Sequence, residues 1–120
     1  MRAKADIVRD CFKAYNTKNR TMIESLLADD LRFTSPYDDA IDRVVYFERC
    51  WPNAGRIREH VVEEIMEEGD RAFVTYKCVT NEGKTFRNTE FFTFEGDKVK
   101  TIHVFFGETY IDGKFVAQES

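Results

Sequence analysis

From about Ala3 to Asn16 apolar side chains return at helical intervals, Ile7, Val8, Cys11, Phe12 and Tyr15, which predicts an amphipathic helix with one buried stripe. Thr17-Lys18-Asn19 interrupts the pattern. Asn19 can cap a second, short helix, with Thr21 and Glu24 spaced as a capping box slightly further in and Met22, Ile23, Leu26 and Leu27 as its buried stripe. Leu31 to Ser35 then reads as a short strand ended by Pro36, followed by the polar loop Tyr37-Asp38-Asp39. Asp42 is placed to cap a third helix carrying Val44, Val45, Phe47 and Cys50, stopped at Trp51 by Pro52.

The second half changes period. Arg58 to Met66, Arg71 to Thr80, Thr85 to Glu95 and Lys98 to Phe106 are β-rich runs, separated by Glu68-Gly69-Asp70, Asn81-Glu82-Gly83 and Gly96-Asp97. Each separator is a turn signal. Three helices before a long antiparallel meander predict one α+β domain over residues 1–120, with the helices over the concave face of a curled sheet and a pocket between them. The last residues, Gln118-Glu119-Ser120, are expected to fray.

Within Thr85 to Glu95, strand alternation puts Phe86, Asn88, Glu90, Phe92 and Phe94 on one face. That face is apolar at both ends and polar in the middle, which suits the wall of a pocket better than a solvent-facing strip or a plain core. Glu90 is then a pocket acid whose apolar surroundings raise its pKa; the alternative is a surface carboxylate paired with Arg87 or a nearby lysine. The next strand leaves two registers open. A tight Gly96-Asp97 turn without irregularity puts His103 opposite Glu90 on the pocket face, whereas a bulge turns Ile102, Val104 and Phe106 inward instead. The apolar parity favours the second. Tyr15 and Trp51, at helix ends, are further candidates for the cavity mouth. His60 reads as a strand-surface histidine, and Asp38 and Asp39 as turn residues.

Composition narrows the function. At 120 residues the chain has the size of one domain with a real core, and 42% apolar residues with 11 phenylalanines suit bulky interior packing. A net charge of −4 gives no attraction to phosphate backbones or anionic lipid, so nucleic acid and membrane partners are not expected. No apolar run is long enough to cross a bilayer and the N-terminus shows no signal-peptide pattern, which places the protein in the cytoplasm as an expectation. Asn19-Arg20-Thr21 matches a glycosylation sequon that has no meaning without secretion. Cys11, Cys50 and Cys78 stand far apart, arguing for free thiols. Two histidines without a spaced acid cluster argue against a metal site, and no glycine-rich nucleotide motif, triad spacing or thiol redox pair calls for a cofactor.

The order of elements, with the phrases AYNTKNRTMIESLLADDLRFTSP and FFTFEGDKV, resembles the nuclear-transport-factor-2-like superfamily over nearly the whole chain, and within it the SnoaL-like and ketosteroid-isomerase-like branches. The resemblance implies a cone-shaped α+β barrel with a deep pocket, often dimerising through the outer face of the sheet. The isomerase branch carries a tyrosine, a carboxylate base and an oxyanion-holding acid. Counted without gaps, the matching positions here are Cys11, Ser35 and Glu90. A serine cannot abstract a carbon-bound proton as a carboxylate can, and a thiol is a weak donor, so steroid isomerisation is disfavoured.

The expected function is therefore binding of a small, mainly apolar molecule, with Glu90 and Asn88 as its polar handles and Cys11, Tyr15, Ser35, Trp51, Phe92, Ile102, His103, Val104 and Phe106 as candidate pocket residues. Two alternatives stay open: a cofactor-free SnoaL-like enzyme of isomerase, cyclase or hydratase type using Glu90 as acid or base, and a dimeric interaction module with a vestigial cavity.

Overall fold

The computed structural model describes residues 2–117; the three C-terminal residues expected to fray lie outside them. Helix α1 (Lys4–Asn16) buries the predicted stripe, and Asp6 in its first turn and Lys13 in its last complement the helix dipole. Helix α2 (Arg20–Leu26) is capped by Asn19, whose side chain accepts from the Met22 N–H at 3.0 Å. The Thr21–Glu24 capping box is not used. Leu27 belongs to strand β1 (Leu27–Thr34) rather than to the helix, although it still points into the core. A two-residue strand β2 (Ile41–Asp42) leads into α3 (Arg43–Arg49), where the Asp42 carboxylate accepts from the Val45 N–H at 3.0 Å. Pro52 ends that helix as predicted, but the chain continues as a short 3-10 turn, Trp51–Gly55.

The meander follows: β3 (Ile57–Glu68), β4 (Arg71–Thr80), β5 (Thr85–Glu95) and β6 (Lys98–Ile111). A further Asp112-Gly113 turn adds β7 (Lys114–Val116), which the β-run ending at Phe106 did not anticipate. The seven strands form one curved, unclosed sheet in the order β2-β1-β6-β5-β4-β3, with β7 also on β6. One pairing departs from the expected antiparallel pattern: β1 runs parallel to β6. Helix α3, the 3-10 turn and the first three strands of the meander lie between β1 and β6, long enough a connection to permit this.

Two irregularities in the β5–β6 ladder decide which side chains face inward. Phe94 pairs with Val99 but Thr93 with Thr101, so Lys100 is an extra residue. Past this bulge Glu90 pairs with Val104 and Phe91 with His103. Further along, Asn88 pairs with Phe106 but Phe86 with Thr109, leaving Gly107 and Glu108 opposite Arg87 alone. A Cβ at Gly107 would stand 2.6 Å from the Arg87 carbonyl oxygen, so only glycine fits this approach. The second bulge lets Phe106 and Thr109, an odd number of residues apart, line the same side.

The core lies between the concave face and the helices. Ile7 and Val8 of α1, Leu31 of β1 and Val99 of β6 are fully buried, with Phe92 and Val74 beside them. Three helices roofing a curved α+β sheet match the predicted architecture, and no helix among the described residues is long and apolar enough to cross a membrane.

Candidate functional site

A cavity of about 590 Å³ opens between the helices and the sheet. That is within the range of pockets holding drug-sized ligands. Strand alternation supplies its floor: Phe86, Asn88, Glu90 and Phe92 come from β5, and Ile102, Val104 and Phe106 from β6. The helices supply its roof, with Cys11, Phe12 and, one turn on, Tyr15 from α1 and Tyr46 from α3. The exposed residues Tyr37, Arg49, Asn53 and Arg56 also line it and mark its mouth.

Glu90 sits at the centre of the polar groups. It is half-buried and lines the cavity. Burial away from water raises its pKa from 4.5 to about 7, opposed by a hydrogen-bond interaction with Tyr76 that favours the charged form. Arg87, the surface partner it was offered, pairs with Glu63 at 3.0 Å and with Glu108 at 3.6 Å instead. Asn88 is buried and donates through Nδ2 to the Tyr76 hydroxyl at 3.2 Å. Its Oδ1 has no partner among the described residues. The oxygen is itself buried, so its hydrogen-bonding capacity is unmet inside the cavity wall rather than presented to the cavity.

Tyr15 and Tyr46 hydrogen-bond each other through their hydroxyls across the roof. Burial pushes both phenols up, as it does the Tyr76 phenol, so all three are neutral donors or acceptors. The three cysteines also line the cavity. Burial raises the Cys11 and Cys78 thiols and takes Cys50 to about 12; they remain protonated and are poor nucleophiles. Ser35 lines the cavity with its Oγ accepting from the Tyr37 N–H at 3.1 Å, which makes it a turn residue as well as a wall. Asp38 likewise does two jobs. Its carbonyl accepts from the Ser35 N–H at 2.7 Å and its carboxylate pairs with Arg49 at 2.7 Å at the mouth.

Of the predicted site residues, Cys11, Tyr15, Ser35, Asn88, Glu90, Phe92, Ile102, Val104 and Phe106 line the cavity. Trp51 and His103 do not. The 3-10 turn sets Trp51 behind Tyr15, the two rings edge-to-face at 5.0 Å. The Lys100 bulge turns His103 to the outer face, where it stacks on Phe105 at 4.2 Å.

One histidine reading is reversed: His60 is not a surface residue but lines the cavity. Its ring lies 5.7 Å from those of Phe12 and Tyr15 and 5.8 Å from that of Tyr76. Burial, with Lys18 nearby, lowers its pKa from 6.5 to about 4, so the ring is neutral. Its charged neighbours in sequence, Arg58 and Glu59, hid this position. Among the described residues no group of histidines, cysteines and acids is placed to hold a metal.

The SnoaL-like domain family matches residues 8–102. Solved structures agree in fold. A nuclear-transport-factor-2-like protein of unknown function from Cytophaga hutchinsonii is 23% identical, with a TM-score of 0.72 over 89% of this chain and 92% of that one. A candidate ketosteroid isomerase from Kribbella flavida is 18% identical, with a TM-score of 0.75 over 90% and 80%. A candidate polyketide cyclase from Sinorhizobium meliloti is 21% identical, with a TM-score of 0.67 over 82% and 93%. No curated protein matches the sequence. With most of its length matched and the expected helices, curved sheet and cavity in place, the chain belongs to the SnoaL-like domain family, on the nuclear-transport-factor-2-like fold.

Proposed function

We propose that the protein binds a compact, mainly apolar small molecule in this cavity, with Glu90 as the polar handle. The observation that carries this reading is an acid set among aromatic walls with its pKa near 7. A carboxyl that served only the fold would be expected to sit in a salt bridge. Glu90 forms none among the described residues, and its neighbour Arg87 pairs with Glu63 and Glu108 instead. Trp51 is the sole tryptophan and packs on Tyr15, which lines the cavity. Occupancy should therefore change its fluorescence. A panel of one- to three-ring compounds titrated against that signal tests the reading. Saturable binding that Glu90→Gln or Glu90→Leu weakens supports it, and no response to any compound, with no small molecule retained in native mass spectra, contradicts it.

A second reading, cofactor-free proton transfer, is supported by the same acid. A group with its pKa at the working pH is both donor and acceptor in useful amounts, and the fold neighbours include proteins named as a candidate isomerase and a candidate cyclase. Against steroid-type chemistry, Ser35 holds the position where the isomerase branch has its base. Turnover abolished in Glu90→Gln with binding retained would favour catalysis.

Self-association through the outer sheet face belongs to the same proposal. Met66, Phe73, Phe91 and His103 form one cross-strand row there. Met66 is 77% exposed, Phe73 50% and the adjacent Phe105 47%, so the face is apolar and uncovered. A self-complementary dimer would cover it.

A further inference from the structure

His60 is held in an unusual way. Asn16, the last residue of α1, reaches the edge strand β3 and pairs with its backbone: Asn16 Nδ2 donates to the His60 carbonyl oxygen at 3.0 Å, and the His60 N–H donates to Asn16 Oδ1 at 2.8 Å. The two backbone contacts fix which way the amide points, because a carbonyl accepts only from the NH₂ and an N–H donates only to the oxygen. The same Oδ1 lies 3.2 Å from His60 Nδ1. Facing an acceptor, Nδ1 must carry the proton. The neutral ring is thereby locked in one tautomer, and Nε2 on the opposite side keeps its lone pair bare.

That lone pair has no partner among the described residues and is not sealed in. The ring lines the cavity and is gripped edge-to-face by Phe12 and Tyr15. It is therefore a rigid acceptor on a second wall, contributed by β3, whereas Glu90 and Asn88 come from β5. Between the polar groups the walls are rings, Phe12, Tyr46, Tyr76, Phe86 and Phe92 among them. Flat apolar walls take flat apolar ligands, and a bare imidazole nitrogen takes a donor and disfavours an anion.

We propose that His60 Nε2 is a specificity-determining acceptor for the hydroxyl of a neutral aromatic or alicyclic alcohol, with Asn16 as the residue that positions it. This rests on the ligand-binding reading of the cavity. It goes further by naming the ligand class and a residue that reads it.

Three rigid probes test it by calorimetry: 2-naphthol, 2-methoxynaphthalene, which has the same ring system and no donor, and naphthalene. The native protein should bind 2-naphthol about tenfold more tightly than the other two, as one well-placed hydrogen bond allows. In His60→Phe, which keeps a ring against Phe12 and Tyr15, that preference should shrink to about threefold or less. A merely structural role would weaken all three together. A preference that survives in His60→Phe overturns the assignment and leaves the cavity as a binding site. If none of the probes binds the native protein, both this assignment and the binding reading fail. Independently of any ligand, nitrogen-15 spectra of the histidine ring should show Nδ1 protonated and Nε2 bare in the native protein and a tautomer mixture in Asn16→Ala. Nε2 protonated in the native protein overturns the assignment.

Discussion

Glu90 stands opposite Val104 across the β5–β6 ladder, not opposite His103, and the unpaired Lys100 is what separates these two arrangements. A one-residue shift in a strand exchanges its faces. Without the bulge, Ile102 and Val104 would turn outward and His103 would enter the cavity beside the acid. Deleting Lys100 should therefore abolish cooperative folding, whereas Lys100→Ala, which removes only exposed pairings to Asp30 and Glu95, should melt almost as the native chain does. Circular dichroism melts of the two variants make the comparison, and a deletion variant with a native-like transition would contradict this account of the register.

Two buried groups give stability opposite pH dependences. Glu90 has its pKa raised from 4.5 to about 7 by burial, so its contribution is greatest below 4.5 and is lost as pH rises through 7. His60 has its pKa lowered from 6.5 to about 4 by burial, so its contribution is present above 6.5 and is lost as pH falls toward 4. Between 4.5 and 6.5 the slopes oppose and nearly cancel. In urea titrations Glu90→Gln should match the native protein near pH 4 and exceed its stability at pH 8 by on the order of 2–3 kcal/mol. His60→Gln should instead lose stability steadily, relative to the native chain, from pH 4.5 to 6.5. Parallel curves for all three proteins would contradict both burials.

Gly107 is a packing requirement. Alanine there drives a Cβ against the Arg87 carbonyl, and backbone cannot yield as a flexible side chain does; a loss of about 1–3 kcal/mol is expected. Because the bulge also aims Phe106 and Thr109 into the cavity, Gly107→Ala should weaken ligand binding as well. Chemical denaturation and the Trp51 signal report the two effects separately.

On the outer face, Phe73 and Phe91 pack at 4.6 Å between centroids, in the middle of the apolar row. Phe73→Lys should convert a dimer to a monomer in sedimentation equilibrium at micromolar concentration. A native protein that is monomeric there would contradict self-association through this face.

Local chemistry made most of the fold readable. Asn19 and Asp42 cap the helices they were expected to cap, and the glycine turns separate the strands where predicted. The inward parity of Phe86, Asn88, Glu90 and Phe92 followed from alternation alone. His60 escaped because its place is set by Asn16, 44 residues away. Charged sequence neighbours carry no trace of that contact. Trp51 was misplaced because a proline after a helix announces a stop but not the 3-10 turn that rotates the side chain away. The β1–β6 pairing is parallel because of where the chain travels between them, which alternation within either strand does not encode.

The central claim is that Glu90 occupies a hollow shielded from bulk water. Carbon-13 labelling of glutamate side chains, with Glu90→Gln to assign the resonance, gives its titration directly. The account predicts a midpoint near 7, well apart from the surface glutamates. A midpoint with the others near 4.5 would place the carboxyl in solvent and contradict it.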